Sequence, residues 1–132
     1  MENKLKVYLA GGMRSNWQQK VIDTCPNNIH FNPQSNYTNG NNTLKLYGAW
    51  DISHIRMSDM VVGYMEKDHP SGFGLACELG YAKGLGKTVI LCMEKDNQFN
   101  DYRYLSFMEL FADIVFHDFE EMLQFYKTYL NE

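Results

Sequence analysis

A single glutamate on an otherwise apolar helix face is the residue of this sequence whose setting most favours chemistry. Residues 72–82 are typical of a glycine-rich loop that leads into a helix, and Glu78 shares one helix face with apolar side chains three or four positions away. These side chains are Leu75, Leu79, Ala82 and Leu85. We expect Glu78 in about the first turn, where the helix dipole favours the ionised carboxylate. Because a lone buried carboxylate is costly, Glu78 is either a nucleophile or general base, or a capping or ion-paired residue that turns toward solvent.

Three further residues are candidates for the same site. Asp51 lies at the edge of the apolar face of a predicted helix over 44–58, where a solvated or ion-paired role is the alternative. Tyr8, in the first predicted strand, is either a core residue or directs its hydroxyl toward the end of the sheet. Arg14 follows the glycine pair after that strand and is either an exposed cation or a clamp for an anion.

Alternating strand and helix patterns must position these residues. Strands are predicted at 5–10, 29–32, 60–65, 88–93 and 114–116, and helices at 17–25, 44–58, from the glycine loop to 84–86, at 102–111 and at 120–130. The asparagine-rich stretch 33–43 is predicted to be a loop. This alternation favours an α/β fold, a five-stranded parallel sheet between two helix layers, in one domain over 1–132. Ligands of such sheets bind beyond the carboxyl ends of the strands, so the loops after the first and third strands form the expected crevice.

Composition narrows the class of protein. The chain has 132 residues, 45% of them hydrophobic, and a net charge of −4 without a basic stripe, which argues against a nucleic-acid polymer as partner. No apolar run is long enough for a signal peptide or a membrane span, so we expect a soluble cytoplasmic protein without a membrane partner. Cys25, Cys77 and Cys92 are expected to be reduced, buried thiols. The histidines are scattered, so we expect no metal and no cofactor.

Two phosphate-binding motifs fail on their spacing. Gly86-Lys87-Thr88 lacks the first glycine of a phosphate loop, because position 81 is Tyr81, and a helix precedes it where a strand is required. The pair Gly72 and Gly74 lacks the third glycine of a dinucleotide fingerprint.

Three segments, in order, resemble the nucleoside 2-deoxyribosyltransferases. They are KVYLAGG at 6–12, WD at 50–51 with SDMVV at 58–62, and GLACELGYA at 74–82 with GK at 86–87. The string GGMRSNWQ at 11–18 is similar to a small branch of that superfamily. The resemblance implies a flavodoxin-like fold and double displacement at the anomeric carbon. Glu78 would attack C1′ of a 2′-deoxynucleoside, Asp51 would protonate or hydrogen-bond the departing base, and Tyr8 would hold Glu78.

The resemblance also implies how substrate is bound. The expected substrate-binding residues are Gly11, Gly12, Arg14, Ser71, Gly72 and Gly74. The transferases carry an aspartate six residues before the nucleophile, where this chain has Gly72, and Ser71 and Asp68 lie nearby as substitutes. Family sites are completed by a neighbouring subunit near the segment aligned to 103–107, which implies a homo-oligomer with sites near its interfaces, although Arg103 and Leu105 differ from the family pattern.

The sequence is compatible with three functions. The first is transfer of deoxyribose from a nucleoside to an acceptor nucleobase. The second is hydrolysis of a 2′-deoxynucleoside 5′-monophosphate, as in related N-hydrolases, with Arg14, Ser15 and Ser71 around the phosphate. The third is a nucleotide-binding module without catalysis. In each case the partner is a small nucleoside or nucleotide, so the sequence indicates a pentosyltransferase or N-glycosidase, or a binding protein derived from one.

Overall fold

The computed structural model describes residues 4–40, 42–66, 72–94 and 105–130. Within these residues, five parallel strands form one sheet in the order β2–β1–β3–β4–β5. The strands are β1 Lys6–Gly11, β2 Ile29–Phe31, β3 Met60–Met65, β4 Thr88–Met93 and β5 Ile114–Phe116. This order is the flavodoxin-like one, in which the chain reverses direction across the sheet between β1 and β3. The predicted α/β fold with a five-stranded parallel sheet is therefore confirmed.

Helices cover both faces of the sheet. They are α1 Trp17–Thr24, α2 Ser35–Thr38, α3 Leu44–Met57, α4 Phe73–Gly84, a 3-10 helix Ser106–Phe111 and α5 Phe119–Leu130. Val7 and Leu9 of β1 belong to the core beneath α1 and α5, whereas Tyr8 and Ala10 belong to the core beneath α3 and α4. Alternate residues of one strand thus separate two hydrophobic layers, as the period of a β-strand requires.

The asparagine-rich stretch differs from its prediction as a loop, because it contains α2. The Asn32 carboxamide accepts a hydrogen bond from the Gln34 backbone N–H at 3.0 Å, and Pro33 O accepts one from Asn36 N at 3.0 Å. A side-chain turn followed by a proline starts a short helix without any apolar periodicity. The composition of this stretch therefore concealed a helix that local hydrogen bonds create.

The predicted helix over 102–111 is also corrected, since its described part is mainly a 3-10 helix. Leu105, Met108 and Phe111 recur every three residues and pack toward the core beneath α4, while Phe107 and Leu110 face outward. A spacing of three places side chains on one line only in a helix of three residues per turn. Positions 102–104 of that prediction and 95–101 of the preceding predicted loop lie outside the described residues.

Helix α4 lies close against the centre of the sheet. A Cβ on Gly63 of β3 would come within 3.1 Å of Leu79 Cδ2 and 3.2 Å of Leu75 Cδ1. The glycine therefore lets α4 approach the sheet, which brings the side chains of that helix above β1 and β3. Leu85, predicted on the same apolar face, lies beyond the end of the helix and is 43% exposed, so that part of the prediction is wrong.

Two other expectations have mixed outcomes. Cys25 and Cys92 are buried free thiols, but Cys77 is exposed on α4, which contradicts its predicted burial. In the part of the chain that the structure describes, no helix is long and apolar enough to cross a membrane.

Candidate active site

Three of the predicted site residues meet above the sheet. The Tyr8 hydroxyl donates a hydrogen bond to Glu78 Oε2 at 2.5 Å, and the same hydroxyl interacts with the Asp51 carboxyl group. Tyr8 comes from β1, Asp51 from α3 and Glu78 from α4, so sheet topology rather than sequence proximity assembles them. Glu78 lies in the second turn of α4, because the helix begins at Phe73. The expected help from the helix dipole in the first turn is therefore not part of this site.

Burial dominates the electrostatics of these groups. It raises the pKa of Glu78 to about 7; the hydrogen bond from Tyr8 opposes this shift and the negative charge of Asp51 adds to it. Burial also raises the pKa of the Tyr8 hydroxyl far above its ordinary value, and the neighbouring Glu78 charge raises it further. Tyr8 therefore stays protonated and acts as a hydrogen-bond donor throughout the usual pH range.

Asp51 has a partner that the sequence did not indicate. Asn36, on α2 and only 4% exposed, donates from Nδ2 to Asp51 Oδ1 at 3.3 Å. Burial raises the pKa of Asp51, while hydrogen bonds from Tyr8 and Asn36 and the nearby His54 oppose that shift. Asn36 was missed because it is one asparagine among several in a polar stretch. Its position shortly after β2, at the carboxyl edge of the sheet, was the available signal, although the expected crevice comprised only the loops after the first and third strands.

Aromatic side chains adjoin Asp51. The Trp50 ring stacks on His54 with centroids 3.8 Å apart and lies 6.4 Å from the Tyr8 ring, while Phe31 meets His54 edge to face at 4.8 Å. His54 Nδ1 and the Trp50 carbonyl oxygen are 2.7 Å apart. Helix α3, which carries Asp51, thus packs against β1 through Trp50 and against the end of β2 through His54. Hereafter the Tyr8 cluster means Tyr8, Asn36, Asp51 and Glu78.

Close backbone approach explains both glycines after β1. Gly11 has φ +147°, and a Cβ there would overlap the Tyr64 carbonyl group. A Cβ on Gly12 would overlap the carboxylate of Glu66, whose Oε1 also accepts from Arg14 N at 3.4 Å. Substrate binding by Gly11 and Gly12 stays a prediction, since contacts within the fold already require glycine at position 11 and favour it at position 12. The Arg14 side chain is exposed.

The glycines before Glu78 differ from each other. Gly72 is buried at the start of α4, and a Cβ there would come within 2.5 Å of Leu105 Cδ2 and 3.0 Å of Met108 Cε. A Cβ on Gly74 would meet no described atom within 4 Å. Their predicted contacts with substrate, like that of Arg14, stay predictions. Ser71, the remaining substrate-binding candidate, lies outside the described residues, as do Asp68 and Arg103.

A second buried carboxyl group lies beside the loop after β1 and was also missed. Glu66 directly follows β3 and is 5% exposed. On the other side of the same loop, Trp17 Nε1 and Gln18 Nε2 donate to the Gly12 carbonyl oxygen at 2.8 and 2.9 Å. Gln18 Oε1 is buried and has no hydrogen-bond partner among the residues that the structure describes. Hereafter the Glu66 cluster means Gly12, Trp17, Gln18 and Glu66.

The described residues contain no group of histidine, cysteine and acidic side chains arranged to hold a metal ion. The site is therefore built from carboxyl, hydroxyl and amide groups. Together with the strand order, it defines a flavodoxin-like α/β protein that carries two carboxyl groups on one buried tyrosine hydroxyl.

Comparison with known proteins identifies the family. The sequence model of the family described as nucleoside 2-deoxyribosyltransferase like matches residues 4–95, and the chain belongs to this family. The resemblance inferred from the sequence is thus confirmed. The matched region includes Tyr8, Asn36, Asp51 and Glu78 and ends before the 3-10 helix, β5 and α5. A search of the curated proteins finds no match.

A solved structure supports the fold. The CMP N-glycosidase BcmB of Clostridium botulinum is similar to this chain with a TM-score of 0.59 and 17% sequence identity, covering 90% of this chain and 94% of its own. At this identity the likeness shows the flavodoxin-like fold alone. Because the structural match covers 90% of this chain, it includes residues beyond 4–95, the region that the family model matches.

Proposed function

We propose that this protein cleaves the N-glycosidic bond of 2′-deoxynucleosides through a covalent deoxyribosyl-Glu78 intermediate. The observation that carries the proposal is the buried Tyr8 hydroxyl that bonds Glu78 and also interacts with Asp51. Membership of the nucleoside 2-deoxyribosyltransferase-like family supports the same general reaction.

The proposed reaction assigns a separate task to each group. Tyr8 holds Glu78 Oε2, which leaves Oε1 to attack C1′. As the bond between C1′ and the base nitrogen breaks, its electron pair stays on the base, which takes a proton from Asp51. A second base or a water molecule then displaces Glu78 from the sugar. A carboxylate beside C1′ stabilises the oxocarbenium-like transition state before it forms the covalent bond, as in retaining glycosidases.

The paired carboxyl groups suit this division of labour. Burial raises the pKa of Glu78 and of Asp51, and two ionised carboxylates on one hydroxyl repel each other. The pair therefore tends to hold one proton near neutral pH. Because the pKa of Glu78 is raised more than that of Asp51, the shared proton lies on Glu78 in the free protein. In the proposed reaction this proton passes to Asp51 before the base departs, so that Glu78 carries the charge at that step.

Replacing Glu78 tests the proposal. We expect Glu78→Ala to lower base release from deoxyadenosine by at least about 10³-fold, because alanine has no carboxylate to attack C1′. Mass spectrometry of the wild type after rapid acid quench should detect the protein with one added deoxyribosyl group, and this adduct should be missing from the variant. Glu120→Gln, at an exposed position on α5, is the matched control. Turnover that persists in Glu78→Ala would refute the proposal.

Adding an acceptor base separates transfer from hydrolysis. With deoxyadenosine and excess cytosine, a transferase forms deoxycytidine, whereas a hydrolase releases free deoxyribose at the same rate with or without the base. Stabilisation by deoxyadenosine without any turnover would instead indicate a binding module that has lost catalysis.

Hydrolysis of a deoxynucleoside 5′-monophosphate is the second candidate function. It is favoured by the exposed Arg14, which follows β1 at the carboxyl edge of the sheet, and by the nucleotide named as substrate of the similar Clostridium enzyme. A charge-assisted contact of arginine with phosphate is worth about 1.5–3 kcal/mol. Arg14→Ala should then reduce kcat/KM for deoxyadenosine monophosphate about tenfold or more and leave deoxyadenosine unaffected. An equal loss for both substrates would exclude a phosphate contact.

We also propose that the chain acts as a homo-oligomer. Only Ile55 is buried in the 14-residue helix α3, while the exposed apolar side chains include Leu44 and Ile52 on that helix and Phe107 and Leu110 on the 3-10 helix. Burial against a second copy would remove this apolar surface from water. Sedimentation velocity should give a mass of at least two chains, reduced to one in Ile52→Glu or Phe107→Glu. A monomeric wild type would contradict this proposal.

A further inference from the structure

Besides Tyr8, the Asp51 carboxyl group is in contact with the amide of Asn36 on α2. Helix α2 spans only Ser35–Thr38, yet it places one buried amide against a carboxyl group that α3 supplies fifteen residues later. An amide nitrogen can only donate, so the contact assigns Asp51 Oδ1 the role of acceptor.

The number of protons available determines which group donates in the contact between Tyr8 and Asp51. The Tyr8 hydroxyl has one proton, and it is directed to Glu78 Oε2. A further hydrogen bond between this hydroxyl and Asp51 must then use a proton on Asp51 whenever Glu78 is ionised. Because Asn36 already donates to Oδ1, that proton belongs on Oδ2.

We infer that Asn36 is a positioning residue that holds Asp51 Oδ1, so that Oδ2 carries the proton given to the departing base. This inference rests on the proposed function. When the bond from C1′ to the base breaks, the base nitrogen takes the Oδ2 proton and a carboxylate is left on Asp51. The hydrogen bond from Asn36 strengthens as that charge develops, because a donor to an ionised acceptor is stronger than a donor to a neutral one. Asn36 thus stabilises the transition state more than the ground state.

Four groups face the Asp51 carboxyl from the packed elements. They are Tyr8 of β1, Asn36 of α2, His54 of α3 and Glu78 of α4. Tyr8, His54 and Glu78 each carry an ionisable group, whereas the Asn36 amide donates a hydrogen bond without carrying one. A change at Asn36 therefore alters the acidity of Asp51 without adding a second titration.

The experiment combines a double-mutant cycle with a titration. We expect Asn36→Ala to lower kcat/KM for deoxyadenosine about tenfold or more. In the Asp51→Asn background the same replacement should have almost no further effect, because the group through which Asn36 acts is gone. Losses that multiply in the double variant would overturn the inference.

Carboxyl ¹³C NMR of the full chain gives a readout that needs no turnover. Without the Asn36 donor the Asp51 resonance should titrate at higher pH than in the wild type. Asn36→Leu keeps about the size of the side chain and has no donor, so it should shift the titration in the same direction and keep α2 packed. Asn39→Ala, at the exposed end of the same helix, is the matched control. If Asp51 titrates identically in wild type and both Asn36 variants, the inference is wrong even when catalysis is confirmed.

Failure of the proposed function has a different signature. In that case the wild type shows no turnover with any nucleoside or nucleotide, while the Asp51 titration still responds to Asn36 if the positioning contact is as described. The two results are therefore separate.

Discussion

Glu78 and Glu66 are both largely shielded carboxyl groups near the same edge of the sheet, but their partners have opposite character. Glu66 lies against the backbone of Gly12 and accepts from the Arg14 N–H. Glu78 accepts from one side-chain hydroxyl and has Asp51 as a like-charged neighbour. The contact with Arg14 N–H links Glu66 to the backbone of the loop, whereas the second carboxyl group beside Glu78 disfavours its ionised form. We conclude that the Glu66 cluster shapes the loop and that the Tyr8 cluster holds reactive groups.

The largest effect on stability is expected for a replacement in the loop after β1, which the Glu66 cluster supports. Gly11→Ala forces an alanine into φ +147° and drives its Cβ into the rigid backbone of Tyr64. Backbone strain and overpacking each cost about 1–3 kcal/mol, so we expect a loss of about 3 kcal/mol or more. Urea denaturation followed by circular dichroism measures this loss. A stability close to that of the wild type would show that the loop after β1 is more adaptable than its contacts imply.

The next largest effect on stability is expected for Glu78 in the Tyr8 cluster, and its size depends on pH. The folded-state pKa of Glu78 is about 7, raised above the ordinary 4.5 by burial, so the folded state keeps a proton that the unfolded state has lost between these values. Stability from this group is complete below about pH 4.5 and is lost as the pH rises through about 7. Glu78→Gln lacks this penalty, so its stability relative to the wild type should increase by about 3 kcal/mol between pH 4.5 and pH 8.

Urea denaturation of both proteins across that pH range measures the difference. Glu120→Gln on α5 is again the matched control. A stability difference between wild type and Glu78→Gln that does not change with pH would show that burial imposes no cost on the ionised form of Glu78, and would contradict this prediction.

The sequence predicted best those elements that are buried on both sides. The predicted strands at 60–65 and 88–93 coincide with β3 and β4, because a central parallel strand is apolar at nearly every position. The Tyr8, Asp51 and Glu78 group was found because each residue interrupts, or lies at the edge of, an apolar pattern. Joining them required the family resemblance, since α3 and α4 are far apart along the chain.

The residues that sequence reasoning missed lie where no periodic pattern exists. Asn36 is buried within a polar stretch, and Glu66 directly follows a strand, at a position where exposed and buried carboxylates have the same sequence context. Tyr47 and Ile52, apolar residues of α3, are exposed, so hydrophobicity alone did not reveal the buried side of that helix. Burial of a polar side chain depends on tertiary contacts that a single sequence does not encode locally.

A smaller effect is expected when the charge of Glu66 is removed. Glu66→Gln keeps an oxygen acceptor for the Arg14 N–H and nearly the same shape, so we expect a loss of about 1 kcal/mol in the free energy of unfolding. The kcat should stay near its wild-type value, because Glu66 does not belong to the Tyr8 cluster. Initial rates measured over a range of deoxyadenosine concentrations give kcat and KM separately. A fall in kcat as large as that of Glu78→Ala would overturn the assignment of Glu66 to loop support.

The smallest effect is expected at Gly74, and it tests whether a glycine near Glu78 is kept for substrate or for packing. A Cβ there meets no described atom within 4 Å, and the residue lies in the first turn of α4. Alanine in a helix is about 0.5–1 kcal/mol more favourable than glycine, so Gly74→Ala should leave stability equal or slightly higher. If the substrate lies over this turn, KM should rise while stability does not fall. Unchanged KM and kcat would remove Gly74 from the substrate-binding set and leave Gly72 as the glycine that packing requires at the start of the helix.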